Sequence, residues 1–176
     1  MIRPSAVIAA ALLVTLSAGR GQAQEVALNI QSGLWQMTSQ PHMSGAVPDV
    51  DRSRLTAAQL SKLEAAIGKP MAPRIYKECL TRDKFIHGME RGLPPSCQRT
   101  LLANTPNELE LRNICTDGGA TRTLTVHMQS ANPQSLRGSV VIEAKGTDKT
   151  LTIDNALEGH FLSADCGTVQ DVQPMN

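Results

Sequence analysis

Apolar and polar residues alternate with a period of two through most of the chain after residue 100. The segments ELELRNIC (108–115) and RTLTVHM (122–128) both alternate in this way, and the TDGG between them contains two glycines. Alternation of this kind indicates strands with one buried face, and a short glycine-containing connection indicates a hairpin. These residues therefore predict two antiparallel strands joined by a tight turn.

The same pattern recurs on both sides of that hairpin. It is clear in LRGSVVIEA (136–144) and TLTIDNALEGHFLSAD (150–165), and weaker in LWQMT, RIYKECL and QRTLLAN. The polar outer faces are typical of an antiparallel sheet with one solvated side, and a long meander must curl or close to protect its edges. We predict a mainly β fold: a single curved antiparallel sheet or open barrel, a meander of about 7–8 strands.

One segment carries helical periodicity instead. In LTAAQLSKLEAAIGKP, Thr56 and Gln59 have the spacing of a capping box, Leu60 and Leu63 fall on one face, and Gly68 can end the helix. The sequence predicts one inserted amphipathic α-helix at about residues 56–68, covering one face or one end of the sheet.

Residues 41–55 contain two prolines and show no periodicity, which predicts a loop. Trp35, the only tryptophan, shares a strand face with Met37, and Met43 lies at the start of that loop. Two interpretations stay open. These residues anchor the core, or they form an apolar pocket for a ligand at the mouth of the sheet, with Trp35, Met37 and Met43 as its binding residues.

The first 23 residues have the pattern of a secretory signal peptide. Arg3 precedes an apolar run, and small residues lead to a cleavage site after Ala23. The run is shorter than the roughly 20 residues of a membrane-spanning helix, so we expect no stable membrane insertion. We predict a periplasmic or secreted protein whose single disulfide-stapled domain occupies residues 24–176.

The balance of basic and acidic side chains bears on whether the protein binds nucleic acid. Loss of Arg3 and Arg20 with the signal peptide leaves 15 of the 17 basic side chains against 16 acidic ones. Such a balance gives no basic patch for nucleic acid, so we expect no nucleic-acid partner.

Four cysteines in an exported chain predict disulfides. Cys79, Cys97, Cys115 and Cys166 allow three connectivities. We prefer Cys79–Cys97, which closes a short loop, and Cys115–Cys166, which ties an early strand to the last one. Structural zinc sites need cysteines a few residues apart, and this spacing is much wider, so we expect no metal and no cofactor.

The order of these features resembles that of a bacterial exported family, domain of unknown function 3617. The resemblance rests on five features in this order: GLW near the mature N-terminus, a helix, CLT at Cys79, a second cysteine before a strand, and a meander ending near Cys166. It spans Gly33 to Cys166. It implies export, paired cysteines and a small β domain, and it assigns no catalytic residue.

The sequence contains no nucleophile elbow, phosphate-binding loop or zinc-protease helix. We therefore favour a non-enzymatic protein over a hydrolase that would use His127 and His160, which fall on polar strand faces. Two hypotheses follow. The first is a binding module for a small apolar or amphipathic molecule, and the second is a structural or interaction protein of the cell envelope that uses an edge strand or the helix face.

Overall fold

A computed structural model describes residues 26–81, Lys84, residues 96–169 and the backbone of residues 173–174. The predicted signal peptide lies outside the described residues.

The described residues form two helices and eight strands, of which seven are long. In chain order they are β1 (Gly33–Gly45), α1 (Asp49–Arg52), α2 (Ala57–Ala66), β2 (Arg74–Leu80), β3 (Cys97–Asn104), β4 (Glu108–Asp117), β5 (Ala120–Asn132), β6 (Ser135–Lys145), β7 (Thr150–Ser163) and the two-residue β8 (Gln173–Pro174).

All strands belong to one antiparallel sheet in the order β3-β4-β5-β6-β7-β1-β2-β8. Strands β3 to β7 follow one another as a meander, and β1 lies between β7 and β2. Because β3 and β8 are the two ends of the order, the sheet is not closed. The predicted fold class, a mainly β protein with a single open antiparallel sheet and an inserted helix, is confirmed.

The hairpin of β4 and β5 forms at the predicted position. Asp117 pairs with Ala120, and Gly118 and Gly119 between them have φ values of 57° and 84°. A two-residue hairpin turn of this kind needs positive φ at both positions, which glycine adopts without steric cost.

We call the sheet face that carries Trp35, Leu109 and Val126 the inner face. At one end of it, apolar side chains of six strands form the main core together with Val26 and Leu28 of the segment before β1. That segment is fixed to the sheet by main-chain hydrogen bonds, from Asn29 N to Pro106 O at 2.8 Å and from Gln31 N to Pro133 O at 2.8 Å. It therefore covers the end of the inner face near the β3–β4 and β5–β6 turns.

Helix α2 covers the other end of the inner face. The capping box is present, since Gln59 N donates to Thr56 Oγ1 and Thr56 N donates to Gln59 Oε1. The apolar stripe of the helix region packs on a second, smaller core formed by three buried residues of the sheet and the adjoining loop. That stripe comprises Leu55, Leu60, Leu63 and Ile67, and the smaller core Val47, Ala144 and Leu151.

The loop predicted at residues 41–55 is partly wrong. Strand β1 continues to Gly45, pairing with β7 through Gly45 and Leu151, and residues 49–52 form α1. The prediction took the two prolines as a sign that no strand passes through these residues. Pro41 lies beyond Ser39, the last β1 residue that pairs with β2, so β1 has only β7 as a neighbour there. A missing backbone N–H is tolerated where a strand has one neighbour.

The preferred disulfide connectivity is wrong, although all four cysteines are paired. The bonds are Cys79–Cys166 and Cys97–Cys115. Cys97 and Cys115 are directly opposite each other in the β3–β4 pair, with a Cα–Cα distance of 4.2 Å. The register of β3 against β4 brings these two cysteines together. The prediction was based on the length of the loop that each bond would close, and loop length does not reveal the register.

Candidate functional site

Two of the predicted ligand-binding residues, Trp35 and Met37, lie together in the main core. Trp35 is fully buried, donates from Nε1 to Gln31 O at 2.9 Å, and meets Phe161 edge to face at a ring-centroid distance of 5.9 Å. Both side chains lie over Gly159, where an added Cβ would be 2.7 Å from the Met37 sulfur and 3.2 Å from the Trp35 ring. The pair packs against the Gly159 backbone and leaves no room for a side chain at that position.

Met43, the third predicted residue, is at the other end of β1. It is half-buried, pairs with Ile153, and accepts a hydrogen bond from Gly68 N at 2.8 Å. It is six positions along β1 from Met37, about 20 Å at the usual rise per residue. The structure thus brings Trp35 and Met37 together and places Met43 apart, beside the helix. A ligand-binding role for these three residues stays a prediction.

A different part of the inner face forms an open cleft of about 660 Å³. It lies over β4, β5 and β6. The described residues that line it are Ser96, Cys115, Thr116, Asp117, Arg122, Thr123, Leu124 and Ile142.

The floor of the cleft is apolar. Leu124 and Ile142 are directly opposite each other in β5 and β6, and Ile142 is opposite Ile153 in β7. Leu124 packs on the main core and Ile153 on the smaller one, but Ile142 is 38% exposed. An inner-face isoleucine remains open to solvent because it lies between the two cores, which are each covered by a different segment.

Two ion pairs line the rim of the cleft. Arg122 Nη2 contacts Asp51 Oδ1 of α1, and Arg54 Nη1 lies 2.8 Å from Asp117 Oδ2. The hydrogen bond and the positive charge of Arg54 hold the pKa of the Asp117 carboxyl below its ordinary value. Each of these two arginines is therefore balanced by a carboxylate.

Among the described residues, Asn113 is the fully buried polar residue near the cleft whose side chain lacks hydrogen-bond partners. It is on the inner face of β4, opposite Leu124, and two residues from Cys115. Neither Nδ2 nor Oδ1 has a hydrogen-bond partner. Since buried polar groups in proteins are nearly always hydrogen-bonded, an unpaired carboxamide at this position needs an explanation.

The histidines considered for catalysis lie on the outer face. His127 Nε2 is 3.0 Å from Glu108 Oε1 across β4 and β5, and His160 is exposed. In the part of the chain that the structure describes, no three His, Cys, Asp or Glu side chains are grouped so that they could hold a metal ion. A search of the same residues finds no helix long and apolar enough to cross a membrane.

Comparison with known proteins identifies the family. A family model described as "Protein of unknown function (DUF3617)" matches residues 30–166. The chain belongs to the DUF3617 family. The resemblance inferred from the GLW motif and the cysteine order is confirmed, and the match extends from the segment before β1 to the last cysteine of this DUF3617 domain. No curated protein and no solved structure gave a match.

Sequence reasoning missed the cleft residues Arg122, Leu124 and Ile142, because exposure of an inner-face residue depends on what covers the sheet. Asn113 did carry a signal. It occupies an inner position of β4 between Leu111 and Cys115, and a polar residue at an apolar position of an alternating strand often marks a functional or strained site.

Proposed function

We propose that this protein is a non-enzymatic binding module for a small apolar or amphipathic molecule, and that the molecule binds in the cleft over β4, β5 and β6. The observation that carries the proposal is the apolar floor of Leu124 and exposed Ile142 within a cleft of about 660 Å³. Small-molecule sites are concave, mostly apolar and have volumes of roughly 300–1,000 Å³, with a few polar groups at fixed positions.

The polar groups of the rim fit an amphipathic molecule. Ser96, Asp117 and Arg122 line the cleft beside this floor, and the Arg122–Asp51 pair closes one side. An apolar chain on Leu124 and Ile142 would leave its polar head within reach of these groups.

Export to the periplasm is part of the proposal. It rests on the signal peptide pattern of residues 1–23 and on the two disulfides, because disulfides form and persist in oxidising compartments.

The test uses a matched pair of isoleucines. Ile142 on the inner face is 38% exposed, and Ile114 on the outer face of β4 is 39% exposed. Binding of the uncharged fluorescent probe N-phenyl-1-naphthylamine to the disulfide-bonded protein is measured for wild type, Ile142→Glu and Ile114→Glu. We expect Ile142→Glu to raise the Kd about tenfold or more, since it places a charge on the apolar floor, and Ile114→Glu to leave it unchanged.

Absence of probe binding by the wild-type protein would refute the proposal, as would equal binding by the two variants. Native mass spectrometry of protein purified from its own periplasm, before and after organic extraction, gives an independent check. We expect an extractable mass of a few hundred daltons, and a bare polypeptide would count against a resident ligand.

The alternative, an envelope interaction protein, has one specific observation in its favour. Among the described strands, β3 is a long strand at the end of the sheet, and its Leu102 is 46% exposed. An exposed edge can accept a strand from another chain. The helix-face version has no such support, because the α2 stripe packs on the sheet. A protein that co-purifies with wild type and is lost on Leu102→Lys would favour this alternative.

A further inference from the structure

We infer that Asn113 is a specificity-determining residue of the cleft and that it selects a ligand with an uncharged head that both donates and accepts hydrogen bonds, such as an amide. This inference rests on the proposed function of the cleft and names the class of molecule that the cleft takes.

The first step is the position of Asn113. It shares the inner face with the cleft, and two of its neighbours, Cys115 and Leu124, line the cleft. Residues opposite each other in adjacent strands, or two apart in one strand, have Cα atoms within about 7 Å. Asn113 is therefore adjacent to the cleft without lining it, and lies between Leu124 of the floor and the main core.

The second step is the state of its side chain. Asn113 is fully buried, and neither of its polar side-chain atoms has a partner. The other asparagine on this part of the inner face, Asn155, accepts a hydrogen bond from Ser39 Oγ at 2.8 Å. Within the sheet, the side chain of Asn155 therefore has a hydrogen-bond partner, whereas the side chain of Asn113 has none and can pair with a ligand.

The third step is the chemistry that would satisfy Asn113. Its carboxamide has two N–H donors and an accepting oxygen, so a partner that satisfies both ends must accept and donate. A carboxylate only accepts and an ammonium only donates. The arginines nearby are engaged already, Arg122 with Asp51 and Arg99 in an interaction of its own. An uncharged amide fits this environment.

Since Asn113 has no exposed surface, a head group reaches it only when a neighbouring side chain turns aside. Leu124, opposite Asn113 and itself part of the floor, is the side chain that we expect to move. Binding would then exchange one buried apolar contact for the hydrogen bonds that Asn113 lacks.

The experiment measures how well eight-carbon molecules with different heads displace N-phenyl-1-naphthylamine at pH 7. The competitors are octanamide, octanoate and octylamine. For wild type we expect octanamide to compete at a concentration about tenfold lower than either charged molecule, because only the amide pairs with both ends of the carboxamide. In Asn113→Leu we expect that preference to weaken to what the cost of burying a charge alone gives, and in the control Asn155→Leu we expect it to keep its wild-type size.

Circular dichroism establishes that each variant is folded, and Asn113→Ala, which fits in the same space, replaces Asn113→Leu where leucine prevents folding. Two results would overturn the inference and leave the proposed function intact: the probe binds but wild type shows no preference for the amide, or the Asn113 and Asn155 variants behave alike. Failure of the probe to bind wild type would overturn both.

Discussion

The two disulfides should stabilise the fold by different amounts, because they close loops of different length. Cys79–Cys166 spans 87 residues and Cys97–Cys115 spans 18. In the chain-entropy description, cross-linking restricts the unfolded chain more when the loop is longer, which gives about 4.6 kcal/mol for the first bond and about 3.2 kcal/mol for the second at 25 °C. Loss of the long-range bond should therefore destabilise the protein by about 1.4 kcal/mol more.

The assay compares two double variants, Cys79→Ala with Cys166→Ala and Cys97→Ala with Cys115→Ala. Urea unfolding followed by circular dichroism gives the free energy of unfolding and its dependence on denaturant. Each variant loses one disulfide and two sulfur atoms, so the chemistry removed is the same. We expect the midpoint to fall in both variants and to fall further in the first.

A larger loss in the Cys97–Cys115 variant would refute the chain-entropy reasoning and would point to local contacts of the β3–β4 pair as the dominant effect. Peptide mapping without reduction checks the premise. A fragment containing Cys79 should be linked to one containing Cys166, and a Cys79–Cys97 link would contradict the structure.

Three further predictions concern a helix cap, a close contact and an ion pair. Thr56→Ala removes the capping box of α2 and should lower the free energy of unfolding by about 1 kcal/mol in urea. Gly159→Ala places a methyl group 2.7 Å from the Met37 sulfur and should lower it by about 1–3 kcal/mol. Asp117→Asn should reduce acid sensitivity. Arg54 lowers the folded-state pKa of Asp117, so the contribution of this carboxylate is present above its unfolded-state pKa of about 3.9 and is lost as pH falls through the lower folded-state value.

Each of these has a control within the chain. Ser61→Ala, in the middle of α2, should not destabilise. A Met37→Ala background should relieve the Gly159→Ala change, and strict additivity would show that the contact is not the cause. Stability of wild type and of Asp117→Asn is followed by thermal unfolding from pH 6 to pH 2, with Asp154→Asn as the control. Parallel pH profiles for wild type and Asp117→Asn would contradict the ion-pair argument.

Local features were predictable from the sequence, because their causes lie within a few residues. The alternation in residues 108–115 and 122–128 indicated the β4–β5 hairpin, and the Asp117-Gly118-Gly119 sequence indicated its turn. Thr56, Gln59 and Gly68 marked the helix, which begins and ends within two residues of the predicted limits. The order of GLW and the cysteines was enough to recognise the DUF3617 family.

Long-range features were not predictable in the same way, because they depend on which strands become neighbours. The placement of β1 between β7 and β2 extends it past Pro41, and the register of β3 against β4 pairs Cys97 with Cys115. Neither follows from spacing along the chain. The sequence analysis also grouped Met43, then expected at the start of a loop, with Trp35 and Met37 in one pocket, but the length of β1 keeps it apart from them.

Periodicity, capping and turn chemistry act locally, and residue order was therefore sufficient to predict a mainly β chain with one capped helix and four paired cysteines. The folded chain was needed to show that the N-terminal segment and α2 cover opposite ends of the inner face. That arrangement leaves Ile142 exposed and Asn113 buried without partners between them. Exposure and hydrogen-bond satisfaction depend on all the segments that surround a residue, and so the candidate site emerged only from the folded chain.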